Sequence, residues 1–298
     1  MINKNTEPAK LVISNKDGLI DKEHFGYVVR GDKIHITEKI GEDKNYPFYM
    51  YSCQKPLQAA LIIDYELDQK YNLTDEEIAI CTTSHANEKV HIDIIKRILD
   101  KFEISPSRLK CENREPNTTA LHNNCSGAHA MMLGLCKLND WDMDSYDNIN
   151  NPLQKQIRKK INELCETKTD YPITKDSCKF PIYSMPLENI AKGYLNLFCN
   201  PKYEKIKNAF LNNPHIIGGK NKTDTKIMEQ SKKLISKIDT NGLSVVVNPE
   251  IEEAFVVKIC DADKTALEFV TIDLINNLHW AEIETLRDDT ACETVTLL

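Results

Sequence analysis

Short runs in which apolar residues dominate or alternate with polar ones lie near both ends of the chain. Such runs are typical of β-strands with a buried face. They are Lys10–Ser14, Tyr27–Val29, Lys33–Ile36, Phe48–Tyr51, Leu243–Val247 and Ala254–Ile259. Gly31 and Asp32 separate two of these runs and predict a hairpin turn. The pattern therefore predicts one sheet assembled from both ends of the chain.

Between these runs, apolar residues recur at the three- and four-residue spacing of helices. Thr74 and Glu77 form the sequence of a capping box, which predicts a helix start. The predicted helices follow Ser52, Thr74 and Asn87 and then cover residues 153–165, 186–198, 201–211 and 224–238.

Together these elements predict an α+β (α/β) fold in one domain, residues 1–298. Its central, mainly antiparallel sheet is expected from about residues 1–51 and 240–298. A helical region of about residues 52–239 is expected to be inserted between the two parts of the sheet.

The composition favours a soluble protein without nucleic-acid or membrane partners. The 298 residues are 41% hydrophobic, which is enough for a substantial core. Lys and Arg (38) are interspersed with Asp and Glu (45), and the net charge of −7 gives no basic patch for nucleic acid. No apolar run approaches the ~20 residues of a membrane span, and the N-terminus lacks an apolar signal region. We therefore expect a cytoplasmic protein whose ten cysteines are free thiols.

Ser52 and Lys55, in Ser52-Cys-Gln-Lys55-Pro, have the spacing that places two side chains on one face of a helix. A serine hydroxyl becomes a useful nucleophile when a base takes its proton, and a lysine is such a base where its neutral form is favoured. Pro56 is tolerated only in the first turn of a helix, which puts Ser52 at or beside the N-cap. The pair predicts a nucleophile with its base. The alternative is a capping serine followed by a solvated lysine.

Three further polar clusters are candidates for chemistry. Ser84 lies between two predicted helices, where functional loop residues are common. The run His122–His129 places two His, two Asn, Cys125 and a Ser ahead of an apolar helix, whose N-terminus could bind an anion. Asp176 and Cys178 could meet Cys125 at a metal, because thiolates and carboxylates suit zinc. Each cluster also fits a purely structural interpretation, as helix caps or a polar loop.

In this order along the chain, these segments resemble the rhizobial-type (class 3) L-asparaginases, the asparaginase II family. The resemblance covers nearly the whole chain. It rests on Ser52-x-x-Lys-Pro-x-Gln58, Leu73-Thr-Asp-Glu-Glu77, Ser84-His85 with Glu88, His122-Asn-Asn-Cys-Ser-Gly127, Asp176-x-Cys178, Pro186-Leu187 and Asp224-Thr225. The first and fourth of these motifs, in this order, are highly specific.

The resemblance implies a fold like that of serine β-lactamases and glutaminases, and a homodimer. It implies two Ser–Lys pairs, the first matching Ser52 and Lys55 and the second matching Ser84 and Lys258. The implied activity is that of an amidohydrolase, with L-asparagine the first choice among small amide substrates and with ammonia and L-aspartate as products. The groups expected to hold the amino-acid head of the substrate are Asp176, Asn124, His122 and Tyr51.

Four positions depart from the family pattern. The family's glycines beside Asp-x-Cys are Ser177 and Lys179 here. The family's zinc lies at the substrate site, held by residues that match Cys125 and Cys178 and by a lysine whose position is Ala128 here. The arginine that precedes the first serine in the family is Tyr51 here. Zinc normally takes three or four protein ligands, so we expect weak or absent zinc at the two cysteines and no required cofactor.

Two other functions stay open. The altered Ala128 and Tyr51 are also compatible with a catalytically impaired family member that binds an amino acid or a protein partner. A β-lactamase or penicillin-binding enzyme would share Ser-x-x-Lys, but the chain has no Lys-Thr-Gly motif and its N-terminus has no signal region. A member that only binds would release no ammonia from any amide, which separates it from an amidohydrolase.

Overall fold

The central sheet of the protein combines strands from both ends of the chain. A computed structural model describes residues 6–112, 116, 118–284 and 292–294. The strands are β1 (Ala9–Lys16), β2 (Leu19–Asp32), β3 (Ile36–Ile40), β4 (Phe48–Tyr49), β5 (Ile173–Lys175), β6 (Pro181–Met185), β7 (Ile235–Ile238), β8 (Leu243–Asn248), β9 (Glu253–Ile259) and β10 (Cys292–Thr294). Strands β10, β1, β2, β9, β8 and β7 lie side by side in that order, and β3 pairs with β2. Every one of these pairings is antiparallel.

Helices occupy most of the chain between β4 and β7, and one more follows β9. They are α1 (Lys55–Asp64), α2 (Leu67–Lys70), α3 (Asp75–Cys81), α4 (Lys89–Lys101), α5 (Ser126–Leu138), α6 (Pro152–Leu164), α7 (Leu187–Phe198), α8 (Glu204–Asn212), α9 (Pro214–Gly218), α10 (Thr223–Ser231) and α11 (Lys264–Asn277). Short 3-10 helices lie at Tyr51–Gln54, Pro106–Arg108, Ala120–His122 and Pro201–Tyr203. Within the described part of the chain, no helix has the length and apolar character needed to cross a membrane. The predicted α+β fold, with an antiparallel sheet from both chain ends and inserted helices, is confirmed.

The sheet is buried on both faces because residues along β9 alternate between two cores. Ala254 and Val256 belong to the large core shared with the helical region. Phe255 and Val257 belong to a second core, in which α11 contributes Val270. Burial on both faces explains why β8 and β9 are almost continuously apolar in sequence. The central strands are thereby held between two helical layers.

Residues 235–238 form a strand and not the end of the helix predicted over residues 224–238. Helix α10 stops at Ser231 because Lys232 adopts a left-handed conformation, with φ of 57°. The Ser231 hydroxyl accepts a hydrogen bond from the N–H of Leu234 at 3.2 Å, and β7 then pairs with β8. The second part of the sheet therefore begins before the predicted residue 240. Within the predicted sheet parts, residues 1–5, 285–291 and 295–298 lie outside the described residues.

The predicted hairpin is present between β2 and β3, but its turn lies later than predicted. Strand β2 continues through Asp32, and the turn comprises residues 33–35. Asp32 Oδ1 accepts the N–H groups of Ile34 at 2.6 Å and His35 at 2.7 Å. This side-chain turn replaces the Gly-Asp turn expected from the sequence, because an aspartate can hydrogen-bond the backbone that follows it.

Candidate active site

The turn that carries Ser52 is a short 3-10 helix that continues directly into α1. Ser52 is the second residue of this turn (Tyr51–Gln54), and Lys55 is the first residue of α1. The N-cap of α1 is Gln54, so Ser52 lies two residues before the cap and not at or beside it as predicted. Tyr51 adopts φ of +40°. Non-glycine residues avoid this conformation unless their surroundings impose it, and such strain is concentrated at functional sites.

Ser52, Ser84 and Lys55 form a continuous chain of hydrogen bonds, here called the Ser–Ser–Lys network. The Oγ atoms of Ser52 and Ser84 are 2.7 Å apart, and Lys55 Nζ lies 2.6 Å from Ser84 Oγ. Lys55 Nζ also donates to the carbonyl oxygen of Thr83 at 3.0 Å and to Cys125 Sγ at 3.3 Å. The sequence predicted a direct pair of Ser52 and Lys55, whereas the structure places Ser84 between them. A proton that leaves Ser52 can therefore reach Lys55 through Ser84.

The predicted hydrogen bond between Ser84 and Lys258 is wrong. Lys258 Nζ donates to the carbonyl oxygen of Asn241 and, at 3.1 Å, to that of Ile259. Ser84 Oγ is engaged instead by Ser52 Oγ and Lys55 Nζ. Backbone carbonyls thus satisfy the half-buried Lys258 ammonium locally, while burial lowers its pKa. The interruption of an apolar strand by this lysine has a local structural explanation.

A lysine that was not predicted from the sequence, Lys237 of β7, lines the cavity beside the serines. Its buried ammonium pairs with Asp224 Oδ2 at 3.4 Å, and Asp224 Oδ1 accepts the Ser236 hydroxyl at 2.7 Å. The two-residue periodicity of a strand is the sequence pattern that indicates this lysine. Once the segment is treated as a strand, Lys237 falls on the same face as the buried Ile235. Because a helix was expected over residues 224–238, the strand periodicity of residues 235–238 was not considered.

The two serines open onto a cavity of about 770 Å³, here called the substrate cavity. Three of the four residues predicted to bind substrate line it, namely Tyr51, Asn124 and Asp176. His122 is not among the lining residues, because its Nδ1 accepts the N–H of Thr119 at 3.2 Å and caps its own turn. Charged residues further along the cavity wall are Lys222, Asp224, Lys237, Asp239, Lys264 and Glu268.

Cys125, Cys178 and Asp176 form a candidate metal-binding cluster. Their sulfur and carboxylate oxygen atoms all lie within 4.8 Å of one another. Contact with Cys178 and the charge of Lys55 lower the pKa of Cys125 to about 6 in spite of its burial. The contact with Cys125 raises the pKa of Cys178. Two thiols and a carboxylate are a donor set that fits zinc, so Asp176 offers the third ligand that Ala128, buried in α5, cannot.

Close packing of α5 on α3 fixes the position of Cys125 in the site. A Cβ atom on Gly127 would lie 2.2 Å from the carbonyl oxygen of Ile80, so only glycine allows the helices to approach this closely. The loop that carries the second serine is attached to the same helix, since His85 Nε2 lies 2.9 Å from Ser126 Oγ. The glycine of the His-Asn-Asn-Cys-Ser-Gly motif therefore has a packing role that positions the cysteine.

A second set of contacts ties the loop of Ser84 to residues 214–222 on another wall of the cavity. Glu88 Oε2 lies 2.9 Å from His215 Nε2, and Glu88 Oε1 accepts the N–H of Lys220 at 2.8 Å. One glutamate thus bridges two segments that both contribute lining residues. The two walls are held in a fixed relation around the serines.

His85, which follows Ser84, is buried, and burial lowers its pKa from 6.5 to about 3. The unfolded chain binds a proton at this residue near pH 6.5 and the folded protein does not, so the free energy of unfolding falls as the pH decreases. We expect His85→Gln to reduce this slope by up to about 1.4 kcal/mol per pH unit between about pH 6.5 and pH 4.5. Urea unfolding at a series of pH values measures the slope.

His35→Gln is the matched control for this experiment, because His35 is exposed. Burial raises the pKa of Asp239 to about 6, which changes stability in the opposite direction but equally in all three proteins. The control is expected to keep the wild-type slope. An unchanged slope in His85→Gln would show that His85 is protonated in the folded protein.

Comparison with known proteins identifies the family. The family model described as L-asparaginase II matches residues 12–296. A search of curated proteins gave no match. Among solved structures, a β-lactamase from Mycobacterium bovis is similar, with a TM-score of 0.44 and 10% sequence identity over 85% of this chain and 94% of the other. The family match spans the whole Ser–Ser–Lys network. This chain therefore belongs to the L-asparaginase II family.

Proposed function

We propose that the protein hydrolyses the side-chain amide of L-asparagine and releases ammonia and L-aspartate. Membership of the L-asparaginase II family supports an amidohydrolase of asparaginase type. The observation that carries the proposal is the Ser–Ser–Lys network, with contacts of 2.7 Å and 2.6 Å, at the wall of the substrate cavity. A hydroxyl linked in this way to a lysine is the arrangement that activates a serine nucleophile.

Ser52 is the nucleophile in this proposal. Its Oγ attacks the amide carbon while its proton passes to Ser84 Oγ and the proton of Ser84 passes to Lys55 Nζ. Lys55 accepts that proton as a neutral amine, which forms when its ammonium group gives a proton to the Cys125 thiolate 3.3 Å away; the amine still donates to Thr83 O at 3.0 Å. The oxyanion develops at the turn that carries Ser52, where the first N–H groups of a helix lack intrahelical acceptors.

The protonated Lys55 then returns a proton to the departing nitrogen, and ammonia leaves as the C–N bond breaks. The aspartyl ester that remains on Ser52 is attacked by water, whose proton follows the same path to Lys55. Cleavage of the ester returns this proton to Ser52 Oγ. Each turnover consumes one water molecule and restores the starting protonation states.

The other polar groups of the cavity bind the substrate and maintain the charge balance. Tyr51, Asn124 and Asp176 line the cavity beside the nucleophile and are proposed to hold the amino-acid head. The buried pair of Lys237 and Asp224 fixes a positive and a negative charge on the adjacent wall. Zinc, if bound by the cysteine–aspartate cluster, would supply a Lewis acid that polarises a carbonyl oxygen. The serine and lysine steps above do not depend on it.

An assay of ammonia release tests this function directly. L-asparagine, L-glutamine, their D-forms and several peptide amides are assayed with folded protein, with added zinc and without it. We expect L-asparagine hydrolysis in the absence of added zinc, because the nucleophile and the proton path consist of protein groups only. If protein shown to be folded releases no ammonia from any amide, the alternative of a family member that only binds its ligand is correct.

A further inference from the structure

Two free cysteines lie side by side at the substrate cavity. Cys125 Sγ and Cys178 Sγ are within 4.8 Å of one another, and both residues are unpaired thiols. Among the cysteines whose side chains the structure describes, Cys125 is the one that lines the cavity. A small reagent that enters the cavity therefore meets Cys125 first and finds a second thiol beside it.

The surroundings of Cys125 favour reaction at its sulfur. Lys55 Nζ lies 3.3 Å from Cys125 Sγ, and α5 begins at the next residue. A neighbouring positive charge and a helix N-terminus stabilise the thiolate, the form of cysteine that attacks peroxides. Other cysteines have the opposite environment, because Cys53, Cys81 and Cys165 are fully buried and burial raises their pKa values. Their thiols stay protonated and enclosed.

A disulfide between the two cysteines requires only a small approach of their sulfurs. An S–S bond is about 2.05 Å long, so the two sulfurs must move together by less than about 3 Å. Cys125 is held at the start of α5, where Gly127 packs closely on α3. Cys178 lies in the turn between β5 and β6, residues 176–180, which two backbone hydrogen bonds of 2.9 Å close. This turn is the smaller segment, and we expect it to be the one that shifts.

We propose that Cys125 and Cys178 are a site of reversible oxidation, at which hydrogen peroxide joins the two sulfurs in a disulfide. Cys125 Sγ attacks one peroxide oxygen and the O–O bond breaks. The departing oxygen takes a proton and leaves as water, and Cys125 becomes a sulfenic acid. Cys178 Sγ then displaces the hydroxyl group, the S–S bond forms, and a second water leaves. The two thiols together lose two hydrogens and two electrons, and a dithiol reductant returns them.

The disulfide removes two contacts of the proposed active site. In the reduced protein Cys125 Sγ accepts a hydrogen bond from Lys55, and Cys178 Sγ donates to Asp176 Oδ2 at 3.5 Å. A disulfide sulfur has no hydrogen to donate and no charge with which to hold the lysine. Oxidation is therefore expected to slow ammonia release by at least about 10-fold, because the base and a proposed binding group both lose a partner. This effect rests on the proposed hydrolysis, whereas formation of the disulfide does not.

Peptide mapping of the wild-type protein after peroxide treatment tests the inference. Reduced protein is treated with a chelator, because the same thiols would bind zinc. It is then exposed to hydrogen peroxide, blocked with N-ethylmaleimide and digested without reductant. We expect the peptides of Cys125 and Cys178 to be linked, with a mass two hydrogens below their sum, and to separate in dithiothreitol. A Cys125 that stays unmodified, or that becomes a sulfinic acid without any link, would overturn the inference.

Two variants separate this pair from general thiol oxidation. Cys178→Ser leaves Cys125 without a partner, so excess peroxide is expected to carry Cys125 on to sulfinic acid, which dithiothreitol does not reverse. Cys260→Ser is the control, because Cys260 is exposed and does not line the cavity, and it is expected to form the link as the wild type does. A Cys125 that dithiothreitol restores fully in Cys178→Ser would contradict the role of Cys178. The mapping of the wild type decides the inference even if a variant fails to fold.

Ammonia release from the same samples keeps the oxidation site distinct from the proposed hydrolysis. We expect peroxide to lower the release in the wild type and in Cys260→Ser, and dithiothreitol to restore it. Undiminished release from fully linked protein would contradict the expected effect of the disulfide on the active site. If the link forms but the untreated wild type releases no ammonia, the hydrolysis is contradicted and the oxidation site is supported.

Discussion

Replacement of Ser52 by alanine is expected to lower kcat for L-asparagine hydrolysis by about 10⁴-fold or more, with a much smaller change in KM. In the proposed mechanism Ser52 Oγ forms the ester bond, and the alanine side chain has no atom that can perform that step. Tyr51, Asn124 and Asp176, the groups proposed to bind the substrate, still line the cavity. Steady-state ammonia release measures both constants, and circular dichroism confirms that the variant is folded.

Ser84→Ala distinguishes the nucleophile from the group that relays its proton. This change removes the link between Ser52 and Lys55 but keeps the attacking oxygen, so a loss of about 10²–10³-fold is expected. Ser107→Ala, a change of an exposed serine in the 3-10 helix Pro106–Arg108, is the control and is expected to be fully active. A loss in Ser84→Ala that exceeds the loss in Ser52→Ala would make Ser84 the nucleophile.

Lys55→Met is expected to lower kcat by about 10²–10⁴-fold, the range found for the loss of a general base. Methionine has a similar length and volume, so the buried space stays filled. The nitrogen that lies 2.6 Å from Ser84 Oγ is lost, and the proton of Ser52 has no acceptor at the end of the network. The rate of ammonia release over a range of pH values measures the loss.

Lys258→Met is the matched comparison for this variant. Lys258 donates to backbone carbonyls and not to a serine, so its replacement is expected to reduce kcat far less than Lys55→Met does. A larger effect at Lys258 than at Lys55 would restore the Ser84–Lys258 pair that the sequence predicted.

The architecture was predictable because the strands have strong local signals. The apolar runs that became β8 and β9 are almost continuous, as expected for strands buried on both faces. β7 was missed for a local reason. The end of α10 is a left-handed Lys232 and not a glycine or proline, so the sequence carries no conspicuous helix stop. Ile235 and Ile238 also have a spacing compatible with a helix.

The site was predictable only where it depends on local spacing. Three residues of separation bring Ser52 and Lys55 to one side of a continuous helical segment. The contact of Lys55 with Ser84 depends on the packing of loops distant in sequence, which spacing does not reveal. Lys237 and Lys258 both interrupt apolar strands. Which of the two lines the cavity depends on strand order and register, which the sequence does not show. In the sheet, Lys258 lies opposite Leu243 on β8, and its ammonium is satisfied by carbonyls.

Mass spectrometry of rapidly quenched turnover mixtures tests most directly whether Ser52 carries the reaction. Protein mixed with L-asparagine is quenched in acid, digested, and searched for the peptide that bears an aspartyl ester. We expect the ester on the Ser52 peptide of the wild type, a higher level of it in variants with slowed hydrolysis of the ester, and none in Ser52→Ala. An ester on Ser84 or a thioester on Cys125, or steady ammonia release from Ser52→Ala, would contradict the assignment of Ser52 as the nucleophile.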